Sequence, residues 1–196
     1  MLLPTTCPVC GAPGPSPCLE CRGALRPAPD LPPPRGLVSC PALLSYEGVG
    51  RELVARLKYR NARSSVPWLA DGMAALARDA AGPVAPDLVS WAPTTTARRR
   101  RRGFDHGRLL ARSVARRMGL PCRQLLRRRP GPPQTGRSRP ERLLGPDLEV
   151  VARAVPGRVL LVDDVVTTGA TLAAAARRLR LAGAAEVSAV VAARRP

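Results

Sequence analysis

The chain has 196 residues, room for one ordinary domain and a small appendage at about 100–200 residues per domain, and its 45% hydrophobic content can fill a core. Its net charge of +18 favours an anionic partner without naming one, since Lys58 is the only lysine among 32 basic residues and Arg, Ala, Pro and Gly are abundant together. Two Trp, two Tyr and one Phe give no visible platform for stacking nucleic-acid bases, and no run approaches the ~18 apolar residues of a membrane span.

Met1 to Thr6 has neither the basic nor the apolar region of a signal peptide, so the expected location is cytoplasmic, with reduced thiols and no membrane insertion. Residues 1–25 hold two Cys-x-x-Cys knuckles, Cys7 with Cys10 and Cys18 with Cys21, separated by seven residues. Each knuckle offers two thiolates on a tight turn, and two knuckles complete a tetrahedral sulfur site for Zn2+. Such a Pro- and Gly-rich ribbon has no core, so the metal would supply much of its folding free energy. A redox dithiol and disulfides are the competing readings; a redox pair would need a βαβ context that is absent here. Four thiolates leave no open coordination position, which makes the role structural.

Residues 26–35 carry five prolines and read as a stiff extended linker. The main domain is expected over 36–196. Leu37 to Tyr46 offers one or two short strands. Gly50 to Tyr59 reads as a helix burying Leu53, Val54 and Leu57, and Val66 to Ala80 as a second with Leu69, Met73 and Leu76 on one stripe. Asp87 to Ala92 is a strand. After it come five consecutive arginines, Arg98 to Arg102, then Gly103 and Phe104. Asp105 can cap a helix that runs to Met118 and stops at Gly119. Residues 121–148, rich in Arg, Pro and Gly, read as a long mobile segment. Cys40 and Cys122 have no partner spacing and read as small apolar fillers.

Val159 to Val162 is an aliphatic run suited to a buried strand, and Asp163 and Asp164 close it. Thr167, Thr168, Gly169, Ala170 and Thr171 then form a turn that opens a helix over Thr171–Ala182. Ligands of open α/β sheets bind at strand C-terminal ends, and the N–H groups of a helix start suit a phosphate. Acids for hydroxyls beside a cradle for phosphate together suit a sugar phosphate. A buried strand whose acids merely cap the next helix is the bland alternative. A last strand, Val187–Ala192, completes an alternation of strands and helices that implies a mostly parallel, doubly wound α/β sheet.

The run from Val159 to Thr171 resembles the 5-phosphoribosyl-1-pyrophosphate (PRPP) loop of the class I phosphoribosyltransferases. That resemblance implies that Asp163 and Asp164 hold the ribose hydroxyls and carry catalysis. Val165, Val166 and the Thr167–Thr171 turn complete the PRPP site, with Mg2+ accompanying the diphosphate. Arg-Gly-Phe before a helix, the segment Gln134–Arg142, Arg56-Leu57-Lys58-Tyr59 and the cysteine ribbon narrow the resemblance to the ComF family, competence-associated proteins needed to take up and use transforming DNA. The fold so implied is class I phosphoribosyltransferase-like, preceded by a zinc ribbon. The partners so implied are PRPP, with single-stranded DNA or competence proteins beyond it.

The chain departs from that family at Asp105 and His106, where Asn-Gln is usual, and at Gly145, near a usual Asn. His106, the sole histidine, reads as an exposed first-turn residue or as a general base facing the ribose C1. Arg101, Arg102 and Gly103 are candidates for the diphosphate, because guanidinium groups bind phosphates bidentately; a solvated or nucleic-acid-facing tract is the alternative. Gln134–Arg142 is a candidate lid. Three functions stay open: a transferase moving phosphoribose from PRPP with release of pyrophosphate, a PRPP-binding module without catalysis, and a basic nucleic-acid or protein adaptor.

Overall fold

Four consecutive aliphatics, Val159 to Val162, can all be buried only if both faces of their strand are covered. A computed structural model describes residues 5–60, 62–82, 84–94, 104–129, 145–153, 155 and 157–196. In chain order the elements are α1 (Leu19–Gly23), β1 (Ala42–Ser45), α2 (Gly48–Arg60), α3 (Val66–Ala81), β2 (Leu88–Trp91), α4 (His106–Met118), β3 (Leu126–Arg128), β4 (Leu148–Val150), β5 (Arg158–Val166), α5 (Ala170–Leu181) and β6 (Glu186–Arg194). Among the described residues β1, β6, β5 and β2 form a parallel sheet in that spatial order. This is the mostly parallel α/β architecture that the alternation of elements predicts.

Side chains alternate across the sheet, and the two cores follow that period. Leu160 and Val162 of β5, with Val190 and Ala192 of β6, pack against α2, α3 and α4. Val159 and Leu161, with Val187, Ala189 and Val191, pack against α5. Each fully buried aliphatic contributes on the order of 2 kcal/mol, so a charge at Leu161 would cost the central strand its packing and its hydration together.

Two expectations change. β5 does not end before the acids: it runs through Asp163 and Asp164 to Val166, whose partner in β6 is Arg194. The acids therefore keep strand geometry and point to opposite faces. The expected mobile segment over 121–148 also holds ordered structure. Arg123 donates its N–H to the Val89 carbonyl at 3.0 Å, and β3 pairs antiparallel with β4 through Leu126 and Val150. Leu125, Leu126 and Leu148 are buried and drive this, although arginines and prolines surround them in sequence. The candidate lid Gln134–Arg142 lies outside the described residues.

The cysteine ribbon is not held at a distance. Val9 and Leu25 pack on the core beneath α2 and α3, Ser16 Oγ donates to Ser64 Oγ at 2.9 Å, and the Arg22 guanidinium lies 5.7 Å from the Trp68 ring centre. The Pro-rich segment that follows runs beside β1, where Ser45 donates its N–H to the Arg26 carbonyl at 3.0 Å.

Candidate functional site

A cavity of about 350 Å³ opens at the C-terminal ends of the parallel strands. Asp163, Asp164 and Val165 enter it from β5, and Thr167 and Thr171 from the turn into α5. Lys58 comes from the last turn of α2, Asp105 and His106 from the start of α4, and Arg128 from β3.

The alternation of β5 sorts the two acids. Asp164 shares the face of Leu160 and Val162, which looks toward α2 and α4. There Lys58 Nζ lies 2.7 Å from its Oδ1, and His106 Nε2 contacts its Oδ2. Burial alone would raise this carboxyl, but the His106 contact and the Lys58 charge outweigh it and hold the group at about 2. Asp163 takes the face of Leu161. Its Oδ1 accepts the Asp164 N–H at 2.8 Å, and among the described residues no cation stands within ion-pair distance. Burial and then the Asp164 charge push it up, to about 8. Neighbouring carboxyls driven in opposite directions are a frequent mark of an acid–base site.

His106 departs from the exposed first-turn reading. It is 5% exposed and wedged beside Asp164, because Asp105 caps α4 through a 3.2 Å bond from the Arg108 N–H and so delivers the next residue inward. Residue types and spacing by themselves assigned no role to Lys58, Tyr46, Tyr59 or Arg128. The signal for Lys58 was its uniqueness: a lone lysine in an arginine-saturated chain, at the end of an amphipathic helix. Arg128 sat in a stretch whose composition hid a strand.

The turn after β5 is the candidate phosphate cradle. Gly169 begins α5 in a left-handed conformation (φ 72°) and has no side chain to cap it, while Thr168 Oγ1 accepts the Ala170 N–H at 3.4 Å. The remaining first-turn N–H groups and the helix dipole favour an anion there. Val166 is buried under α5, so any part it takes in binding is through its backbone. Val166, Thr168 and Gly169 line a second, smaller cavity of about 240 Å³ behind the turn, walled by Leu31, Pro32 and Pro34. Arg101, Arg102 and Gly103 lie outside the described residues.

At the other end of the chain the Sγ atoms of Cys7, Cys10, Cys18 and Cys21 all lie within 4.8 Å of one another, and those of Cys10 and Cys18 are 3.6 Å apart. Tetrahedral zinc, with Zn–S bonds of about 2.3 Å, holds sulfurs roughly 3.8 Å apart, so the four can close on such an ion. Burial opposes ionisation of Cys7, but the N–H groups of Cys18, Cys10 and Val9 more than offset it and bring the thiol to about 6.

Comparison with known proteins bears on the family of the chain. Residues 105–196 match the family model described as phosphoribosyl transferase domain. The chain is 32% identical over 189 residues to the "DNA utilization protein YhgH" of Salmonella typhimurium, covering 92% of this chain and 80% of the relative. The protein of the same name from Salmonella typhi matches with the same figures. Among solved structures, a purine phosphoribosyltransferase from Pyrococcus horikoshii superposes with a TM-score of 0.43 at 17% identity, over 65% of this chain and 83% of that one. Leishmania donovani UMP synthase gives 0.39 at 23% identity, over 72% of this chain and 24% of the other.

Proposed function

The chain belongs to the ComF family, and from that premise we propose that it binds PRPP at the strand-end cavity and transfers its phosphoribosyl group to an acceptor, releasing pyrophosphate. What carries the reading is one juxtaposition: a split acid pair, a helix start behind a glycine N-cap and cationic side chains all face a single cavity.

In this mechanism the Thr167–Thr171 turn takes the 5′-phosphate on its N–H groups. The Asp163 and Asp164 carboxyls accept the ribose hydroxyls; Lys58 and His106 lie against the two Asp164 oxygens, and the carboxylate's several lone pairs leave it acceptor capacity. As the C1–O bond breaks, positive charge grows on the ribose ring. The fixed Asp164 anion stabilises that charge without reorganising, because Lys58 and His106 already hold it in place. Arg128, and from outside the described residues Arg101, Arg102 and Gly103, are placed in this reading against the departing diphosphate. Asp163 suits a Mg2+ ion better than Asp164 does, since hard cations take carboxylate and phosphate oxygens and Asp163 has no ion-pair partner among the described residues. Bound with the diphosphate, Mg2+ would neutralise leaving-group charge. The cysteine ribbon would hold a structural Zn2+.

Titration calorimetry with PRPP and MgCl2 tests the site, with Asp163→Asn/Asp164→Asn as control. Micromolar binding lost in the double variant supports the reading; no binding by the folded wild-type chain ends it. Binding without transfer is a second reading, favoured by Lys58 and His106 already being seated on Asp164. It predicts saturation by PRPP with no pyrophosphate released in the presence of any nucleobase. In either case the relatives' name points to a role in using DNA. In our reading single-stranded DNA or competence proteins are the partners and the cytoplasm is the place of action.

A further inference from the structure

The phosphate turn is gripped from behind by the Pro-rich segment. A Cβ on Gly169 would stand 2.6 Å from Pro34 Cγ, so Pro34 lies directly against the turn's left-handed residue. On the other flank Gly145 abuts the same helix start: its Cβ would stand 2.5 Å from the Ala170 carbonyl oxygen. The turn is thus wedged between two segments distant in sequence.

Arg194 fastens the Pro-rich side. It ends β6, pairs in register with Val166 at the end of β5, and is 4% exposed. Its Nη1 donates to the Leu31 carbonyl at 2.8 Å and its Nη2 to the Cys40 carbonyl, while Nε is buried with no partner among the described residues. A buried guanidinium with an unsatisfied donor is costly, and an apolar residue would serve packing alone better. The bonds it does make tie down the segment's start and the chain just beyond its end. Prolines at 32, 33 and 34 then limit what lies between, because their φ is fixed.

We infer that Leu31–Pro34, stapled by Arg194, is a strap that positions the phosphate turn, with Pro34 and Arg194 as its positioning residues. The strap keeps the turn's N–H groups aimed before phosphate arrives, so binding does not have to order them. The strap leaves the diphosphate side of the cavity alone. That selectivity rests on the PRPP reading.

The test compares the wild-type full-length chain with Pro34→Gly, whose site is half-buried, and with Arg194→Met. Amide hydrogen exchange of Thr167–Thr171 is read first, without any ligand. Affinities for ribose 5-phosphate and for magnesium pyrophosphate are read second. In Pro34→Gly we expect exchange in the turn to quicken by about tenfold while α3 is unchanged, since tenfold corresponds to about 1.4 kcal/mol of lost local stability. Ribose 5-phosphate should weaken by a similar factor and pyrophosphate should hold. Unchanged exchange in the turn overturns the strap, as does equal weakening of both ligands. If the wild-type chain binds neither ligand, the PRPP reading falls, and the exchange measurement still decides the strap by itself. Arg194→Met should reproduce the Pro34→Gly pattern; should it fail to fold, exchange and binding in Pro34→Gly are sufficient to uphold or overturn the strap.

Discussion

Lys58, in the last turn of α2, places Nζ 2.7 Å from Oδ1 of Asp164 near the end of β5, joining the first long helix to the central strand. The pair is nearly dry, with side chains 14% and 6% exposed. His106 adds a second contact to the same carboxylate from α4. Three elements thus converge on one anion.

Removing Lys58 leaves a buried carboxylate with only the His106 contact. Lys58→Met should therefore lower stability by about 3 kcal/mol, read from urea denaturation. Lys58→Met/Asp164→Asn should recover much of that loss, because the stranded charge goes with its partner. A single variant within about 0.5 kcal/mol of wild type would mean that water already screens the pair.

The two acids predict opposite pH behaviour. Asp164 is held at about 2, so its contribution is complete above the ordinary carboxyl range and is lost only as pH falls through about 2. Asp163 is pushed up to about 8 from an ordinary 3.8. Between those values the folded chain binds the extra proton, so stability falls as pH rises through that window. Asp163→Asn removes the penalty. In thermal melts it should stabilise the ligand-free protein more at pH 8 than at pH 5; an equal gain at both would refute the raised value.

Metal removal should be felt beyond the ribbon. Val9 and Leu25 pack on the main core and Arg22 stacks near Trp68, so chelation should loosen that contact as well as the knuckles. The expected readout is a change in Trp fluorescence and a lower melting temperature, both restored by zinc. Cys21→Ser should reproduce the effect and lose the bound ion. Unaltered fluorescence and melting after complete chelation would show that the ribbon holds together without metal.

Asp105 caps α4 and delivers His106 to the cavity. Asp105→Ala should cost about 1 kcal/mol of stability by loss of the cap. Asp105→Ser, which can still accept the Arg108 N–H, should restore most of it. Equal losses for both would assign the effect to charge instead of capping.

Much of the frame was legible because it depends on local periodicity. The 3.6-residue stripe of Leu53, Val54 and Leu57 marked α2, the Asp105 cap and Gly119 marked the ends of α4, and the unbroken run of Val159 to Val162 marked a strand covered on both faces. β3 and β4 were not legible. Each is three residues long and stabilised by pairing with the other across a wide gap in sequence, while the arginines around them dominated the composition.

The candidate site divides the same way. Its acid pair and the Thr167–Thr171 turn are contiguous, so the order of residues alone determined that a strand end, two carboxyls and a helix start would meet. Which acid would carry the charge was a tertiary matter. Strand alternation turned Asp164 toward Lys58 and His106 and left Asp163 without an ion-pair partner among the described residues. Burial of His106, the part of Arg128 in the cavity and the strap over Gly169 have the same origin. Each depends on segments distant along the chain, and only the packing of helices and the Pro-rich segment on the sheet brings them within bonding distance.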